Sequence, residues 1–337
     1  MESKSQVYFD DDADLSILEG KTIAVIGYGN QGRSQALNMR DTGVKNVIVG
    51  NIKDESWDAA VQDEFDVYSI SKAAELADII FMLVPDEVHG KVYNEDIAKN
   101  LAEGNVLNFC HGYSVFFGFV KPPPSVDVIM VAPRMIGKGV RDTFVRGVGF
   151  PSYIAVEQDT SGNSKKIALA LSKAIGSTKY GVFESTFYEE TVIDIFHEQL
   201  TSANLFQMKM AYEVLVEAGF NPKLAIIELW ASGEAAEEAA AVAEIGLIRS
   251  QKVSSKTAQY GMITRGSRLV NEDTRSMLKE MIEDIKSGGF AREWNMETMT
   301  GEVLFNSWWK RMLKDPINKM EDSFFEDLKK KRKKWKE

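Results

Sequence analysis

The chain has 337 residues, 44% hydrophobic and 27% charged, with a formal charge of -10. That length supports two or three domains with substantial cores. No apolar run is long enough for a membrane span, the acidic start MESKSQVYFDDDADL has no signal-peptide core, and the single cysteine, Cys110, excludes an internal disulfide framework and fits a reducing cytoplasm. The tail KKKRKKWKE carries a net +6, which leaves -16 on residues 1–328. Such a body is poorly suited to nucleic-acid phosphates, and the tail reads as a solvated helix end or a disordered tip.

Residues 1–20 contain VYFDDDADLSILEG, read as a short strand or arm and a turn. Lys21–Ile26 (KTIAVI) is rich in β-branched residues, as a buried parallel strand is. It runs into Gly27-Tyr28-Gly29-Asn30-Gln31-Gly32 and then into a helical pattern over Arg33–Asp41. Gly27 permits a tight turn, Gly29 lets backbone amides approach a pyrophosphate, and Gly32 lets the helix lie against the strand. Alone, G-x-G-x-x-G is weak. With a strand before it, a helix after it and a second strand, Asn46–Gly50 (NVIVG), at the right distance, it predicts a dinucleotide site over residues 27–32. The next loop, Asn51-Ile52-Lys53-Asp54-Glu55-Ser56, faces the adenosine ribose in such a fold. Lys53 and Ser56 suit a 2′-phosphate, while Asp54 and Glu55 oppose it, so the loop leans to NADP and leaves NAD open.

A helix over Val67–Ala77 and a strand over Ile79–Val84 follow, the strand ending at Pro85 and Asp86, two further cofactor-binding candidates. Helix Val88–Leu101 and strand Asn105–Phe109 lead to Cys110-His111-Gly112. Ligands of open parallel sheets bind beyond the carboxyl ends of the strands, which makes His111 a candidate catalytic residue. Strand Val126–Val131, then Ala132-Pro133-Arg134, strand Tyr153–Glu157, helix Lys165–Ile175 and strand Lys179–Glu184 complete a Rossmann-type, doubly wound parallel α/β domain over residues 1–184.

From Thr186 the strand signals stop. Helical patterns over Glu189–Ala218, Pro222–Ile248, Thr274–Lys286 and from Met296 onward predict an all-helical domain over residues 185–337. Its first stretch, TFYEETVIDIFHEQL, places Asp194 and Glu198 at i and i+4 on one face, with Glu190 a turn earlier. Carboxylates on a helix that must bury part of itself need neutralising, and Mg²⁺ takes oxygen ligands from one or two carboxylates. An exposed acidic face is the ordinary alternative.

These motifs together resemble ketol-acid reductoisomerase. The resemblance rests on IGYGNQG, LVPDEV, HGYSV, VDVIMVAP, TFYEETVIDIFHEQ, EAGFNP, SSKTAQYG and GGFAREW, in order along nearly the whole chain. It implies the short form of the family, with a knotted helical domain that dimerises, so a homodimer or larger homo-oligomer is expected. It also implies a Mg²⁺-dependent alkyl shift in an acetohydroxy acid, such as 2-acetolactate, then reduction of the 2-keto acid by NAD(P)H to a dihydroxy acid. By the same resemblance Asp194 and Glu198 are metal ligands, Glu228 is an acidic ligand from a neighbouring subunit, His111 lines the site, and Ser255 binds the substrate carboxylate. Neither nucleic acid nor membrane is an expected partner, and the expected location is the cytoplasm.

The sequence departs from the family pattern at two places. Arg134 stands where the family has lysine; it keeps the charge, but a guanidinium hardly ever releases a proton. Lys138, one turn on, is a candidate substitute. Ser232 stands where a second glutamate follows Glu228, and Glu234, two residues later, is the candidate replacement ligand. A divergent active site follows from these departures. The alternatives are a paralogue that only reduces a 2-keto or hydroxy acid, a non-catalytic NAD(P)-binding protein, and, at the level of the fold, a β-hydroxyacid dehydrogenase.

Overall fold

The structure, a computed structural model, describes residues 6–333. They fall into two compact units, one ending at Asp194 and the other starting at Ile195.

The first unit is built on a sheet of strands β1 (Val7–Tyr8), β2 (Thr22–Ile26), β3 (Asn46–Gly50), β4 (Asp66–Tyr68), β5 (Ile79–Met82), β6 (Val106–Phe109), β7 (Asp127–Pro133), β8 (Ser152–Gln158) and β9 (Val182–Glu184). Their order is β1-β9-β8-β7-β6-β5-β2-β3-β4. β2 through β7 are mutually parallel, and the order reverses between β2 and β5. That is the topological switch at which a doubly wound sheet opens a crevice. Side chains alternate across the sheet. Ile23 and Val25 enter one buried core, Ala24 and Ile26 the other. Both faces are therefore covered, which is why these strands read as continuous apolar runs.

The helices of this unit are α1 (Asn30–Thr42), α2 (Glu55–Gln62), α3 (Ile70–Leu76), α4 (Asp86–Val92), α5 (Tyr113–Phe116), α6 (Gly137–Val145) and α7 (Ser164–Ile175). α8 (Phe187–Glu217) starts in the first unit and continues into the second.

The sheet is mixed, which corrects the all-parallel expectation. β8 runs antiparallel to β7, with Pro133 opposite Ser152, and β1 runs antiparallel to β9. α6 does not carry the chain back across the sheet. It packs against α1 and returns the backbone to the edge it left. Alternating strand and helix signals cannot report that difference. Val67 and Tyr68, expected in a helix, pair with Val49 and Gly50 as the edge strand. The expected helix over Val88–Leu101 is broken into α4, a π turn (Tyr93–Ile97) and a 3₁₀ turn (Ala98–Asn100).

The second unit is helical as expected, in shorter pieces. Pro222–Ile248 is interrupted by a π turn (Ile227–Ala231), by Gly233 at φ 89° and by Gly246 at φ 94°. The last stretch divides at Gly301 and Glu302, both left-handed, and again before Pro316. A small core gathers around Tyr212, Ile226 and Phe324. Large apolar side chains stay exposed, among them Leu304 (56%), Trp308 (55%) and Trp309 (48%). The terminal helix carries the basic tail as far as Lys333, and the rest of that tail lies outside the described residues. No helix among the described residues is long and apolar enough to cross a membrane.

A Cβ on Gly32 would fall 1.9 Å from the carbonyl oxygen of Gly27, a backbone atom that cannot swing aside. Gly32→Ala is expected to cost about 1–3 kcal/mol of stability as an overpacked contact does and to weaken dinucleotide binding. Unchanged thermal unfolding and unchanged cofactor affinity would show that the turn relaxes freely.

Candidate active site

The crevice at the switch point begins with the glycine turn. Gly27 sits at φ 94°, and a Cβ there would meet the Leu83 carbonyl oxygen at 2.7 Å, so the turn closes against the end of β5 only with glycine. Gly29 precedes the first turn of α1. It provides no side-chain cap, and a Cβ on it would meet nothing within 4 Å. The helix therefore presents uncapped first-turn amides to open space, as a pyrophosphate cradle requires. Gln31 donates from Nε2 to the Met135 carbonyl at 2.8 Å and ties the cradle to the loop between β7 and α6. Gly137 lies so close to Asn30 that a Cβ would fall 2.2 Å from its carbonyl oxygen. The Tyr28 hydroxyl donates to Asp63 at 2.9 Å, and Arg33 holds the same carboxylate at 2.7 and 3.1 Å. Burial beside that acid raises the Tyr28 phenol above its ordinary pKa.

A cavity of about 560 Å³ opens beside the cradle, lined by Gly29, Asn30, Arg33, Glu55, Ser56 and Lys138, among others. Asp54 is already engaged: its Oδ1 caps α2 by accepting from the Ser56 and Trp57 amides, both at 3.0 Å. Lys53 lies over the Trp57 ring at 5.9 Å. Of the loop after β3, Glu55 and Ser56 line the cavity. Lys138 lines it too, beside the nucleotide cradle.

The second half of the site lies beyond the carboxyl ends of β6 and β7. Phe187 is buried and packs edge-to-face on Phe109, which pins the start of α8 to the sheet. Glu190 follows one turn later and is wholly buried. Its carboxylate accepts from the Gly112 amide at 2.7 Å, from His111 Nδ1 at 3.0 Å and from Arg134 Nη2 at 2.9 Å. Gly112 has no room for a side chain, since a Cβ would meet Thr191 Oγ1 at 2.6 Å and the Phe187 carbonyl at 2.7 Å. Arg134 donates from Nη1 to Asp194 Oδ1 at 2.6 Å and lies 5.1 Å from the centre of the Tyr153 ring. Its Nε is buried with no hydrogen-bond partner among the described residues. His111 Nδ1 is 3.6 Å from Asp194 Oδ2, and its Nε2 is 3.9 Å from Asp86.

Burial opposes a charge on His111, but Glu190, with Asp86 and Asp194 behind it, outweighs that and holds the imidazole at a pKa of about 9. Burial likewise works against the Glu190 anion, and the bonds from His111, Arg134 and Gly112 prevail, leaving it below its ordinary value. A buried carboxylate is tolerable only on such terms. Ligand atoms of His111, Glu190 and Asp194 all lie within 4.8 Å of one another, and the carboxylate oxygens are the hard donors a Mg²⁺ ion takes. The two carboxylates fit a divalent cation, whereas His111 as an imidazolium has no lone pair to offer one.

Asp86 opens α4, and this turn is held by a buried histidine. His89 Nε2 lies 2.8 Å from the Val84 carbonyl, which can only accept, so that nitrogen carries the proton. The Ser114 hydroxyl then donates to Nδ1 at 2.7 Å. Burial pushes the His89 pKa down to about 4.

The structure thus brings His111, Arg134 and Asp194 together, with Asp86 at the edge of the cluster. It adds Glu190, which sequence reading noticed only as an acid one turn before Asp194. That i, i+4 spacing was the available signal. Glu198 stands one turn beyond Asp194 on α8. In the second unit Glu228 lies on the π turn, Glu234 opens the helix Glu234–Ile245, and Ser255 caps the helix Lys256–Thr264 by accepting from the Ala258 amide at 3.2 Å. These side chains are exposed.

Comparison with known proteins decides the family. Residues 17–181 match the acetohydroxy acid isomeroreductase NADPH-binding domain, and residues 187–329 match the ketol-acid reductoisomerase C-terminal domain. The chain belongs to the ketol-acid reductoisomerase family. It is 43% identical to the ketol-acid reductoisomerase (NADP(+)) of Pyrobaculum aerophilum, over 94% of this chain and 96% of that one. It is 44% identical to the enzyme of the same name from Methanocaldococcus jannaschii, over 88% and 90% of the two chains. Among solved structures, an NADH-preferring ketol-acid reductoisomerase from an uncultured archean superposes with a TM-score of 0.90 at 36% identity, covering 96% of this chain and 98% of that one. A semialdehyde dehydrogenase NAD-binding protein from Cupriavidus necator, 18% identical with a TM-score of 0.61 over 79% and 99% of the two chains, shares the fold. The family assignment makes this chain an enzyme of branched-chain amino-acid biosynthesis.

Two outcomes are expected. Glu190→Gln leaves Arg134 and His111 facing a neutral amide, and it is expected to cost about 3–5 kcal/mol as a broken buried pair does; unfolding within 1 kcal/mol of wild type would contradict that figure. His89 is neutral when folded but titrates near 6.5 when unfolded. Its contribution is complete above pH 6.5 and is lost as pH falls through about 4, on the order of 3 kcal/mol at full extent. Denaturation of wild type and His89→Gln across that window should show the wild type losing more stability, and parallel profiles would count against it.

Proposed function

We propose that this ketol-acid reductoisomerase converts an acetohydroxy acid, 2-acetolactate or 2-aceto-2-hydroxybutyrate, to the 2,3-dihydroxy acid, using Mg²⁺ and NADPH at a variant site. The observation that carries this reading is the buried Glu190 carboxylate, which collects His111, Arg134 and Asp194 at the carboxyl edge of a dinucleotide-binding sheet. When bound, Mg²⁺ supplies Lewis-acid polarisation of substrate oxygens and the nicotinamide supplies hydride.

The chain's own residues do the rest. Asp194 and Glu198 hold metal from α8. Glu228, contributed by a neighbouring subunit, and Glu234, two residues beyond Ser232, complete the acidic set. His111, charged through Glu190, holds a proton beside the substrate oxygens. Arg134 stabilises developing negative charge there and does not relay protons, because its guanidinium stays protonated. Ser255 retains its hydroxyl hydrogen for the substrate carboxylate while its oxygen caps a helix. Residues 1–184 form the cofactor domain, and residues 185–337 supply metal, substrate and subunit contacts.

Exposed Leu304, Trp308 and Trp309 support a homo-oligomer, since apolar surface of that kind calls for a second copy. Ser56 and Lys138 in the nucleotide cavity, with Asp54 occupied as a helix cap, support NADPH over NADH. A cytoplasmic site of action agrees with the single cysteine. Arg134 also favours a second reading, a chain that reduces 2-keto acids without the alkyl shift.

Turnover of 2-acetolactate, run beside a 2-keto acid that needs only reduction, separates the two readings. The proposal expects Mg²⁺-dependent acetolactate turnover that Asp194→Asn lowers at least about a thousandfold, with cofactor binding intact. Full activity in chelator would refute it, and reduction without isomerisation would favour the second reading. Direct titration should show NADPH binding tighter than NADH, and Lys138→Ala weakening NADPH about tenfold for one lost charge-assisted contact. Unchanged NADPH affinity would remove Lys138 from the cofactor contacts.

A further inference from the structure

Both oxygens of Asp194 face cationic groups of the chain itself. Arg134 Nη1 lies 2.6 Å from Oδ1, and His111 Nδ1 lies 3.6 Å from Oδ2. Arg134 reaches this position as a fork, with its other terminal nitrogen on Glu190 at 2.9 Å. A guanidinium does not deprotonate at any pH the fold tolerates, so this charge cannot be switched off. It can only move. A divalent ion taking Asp194 as a ligand must either displace Nη1 from Oδ1 or sit at short range beside a fixed positive charge, and like charges repel strongly at partly buried sites.

We propose that Arg134 is a built-in counter-cation that competes with divalent metal for Asp194. The free protein then binds metal weakly, and loading requires the guanidinium to leave Oδ1. Its release has a ready destination. The freed Nη1 keeps its hydrogens to donate to an anionic oxygen of the substrate, while Nη2 stays on Glu190. Metal and anionic substrate therefore bind cooperatively, each relieving the cost of the other. This rests on the reading of Asp194 as a metal ligand, and it makes Arg134 a positioning residue for the metal.

Mn²⁺ binding to the full chain with NADPH, followed by electron paramagnetic resonance of the free ion, tests it without turnover. Arg134→Gln is expected to tighten Mn²⁺ binding at least tenfold in the absence of substrate, and acetolactate is expected to tighten binding to wild type but not to that variant. Because Arg134→Gln also strips a partner from Glu190, a second measurement uses wild type alone. In a Mn²⁺-loaded crystal, Arg134 Nη1 should stand outside hydrogen-bonding range of Asp194 Oδ1. Wild-type affinity that Arg134→Gln leaves unchanged, or metal on Asp194 with the Arg134 contact intact, overturns this inference alone. No Mn²⁺ binding by wild type or variant, with substrate present, overturns the metal reading and this inference with it.

Discussion

A single buried carboxylate sets the terms for this site. Glu190 has no access to solvent, and its charge survives because an amide, an imidazolium and a guanidinium all point at it. The donors come from two separate stretches of chain: Gly112 and His111 from the loop after β6, Arg134 from the loop after β7. The acid itself comes from α8. An uncompensated anion there would cost several kcal/mol, so the three segments are forced into one arrangement. That arrangement places Asp194 one turn further on, against the far end of the Arg134 fork.

The Rossmann half serves the same end by geometry. The strand order reverses between β2 and β5, so the glycine cradle and the loop after β5 share one crevice. Gly27 and Gly32 let the first strand, the first helix and the end of β5 approach within van der Waals distance. Gln31 then fixes the cradle to the loop that carries Arg134. The glycine cradle and the acidic cluster are thereby joined through the loop that holds Met135 and Arg134. The buried His89, bonded to Val84 and Ser114, holds the turn from which Asp86 reaches His111.

Much of this was legible in the sequence, and the exceptions have physical causes. β3 matches NVIVG residue for residue, because an apolar run bounded by turn residues leaves little choice. Gly27 and Gly32 are forced by contacts of the order of 2 to 3 Å, and motif spacing carries that constraint faithfully. The direction of β8 was not legible, since it depends on where α6 docks and not on the pattern of β8 itself. Val67 and Tyr68 form an edge strand because Val49 and Gly50 offer backbone partners, a tertiary effect that local propensity cannot register. Long helical patterns were read through breaks that a single left-handed Gly233 or Gly301 imposes. Glu190 was visible as spacing, but its role depends on donors 56 to 79 residues away in the chain. Lys138, the candidate substitute for the family's lysine, lines the cavity beside the glycine turn.

Everything here depends on Glu190 being ionised inside the protein. Carbon-13 NMR of protein labelled at glutamate side-chain carboxyls, with the Glu190 signal identified by its loss in Glu190→Gln, reads that state directly. A carboxylate shift that stays constant from about pH 5 to 8, above the ordinary titration of exposed acids and across that of histidines, is expected. A signal that titrates in that range, or that sits at the protonated position throughout, would contradict it.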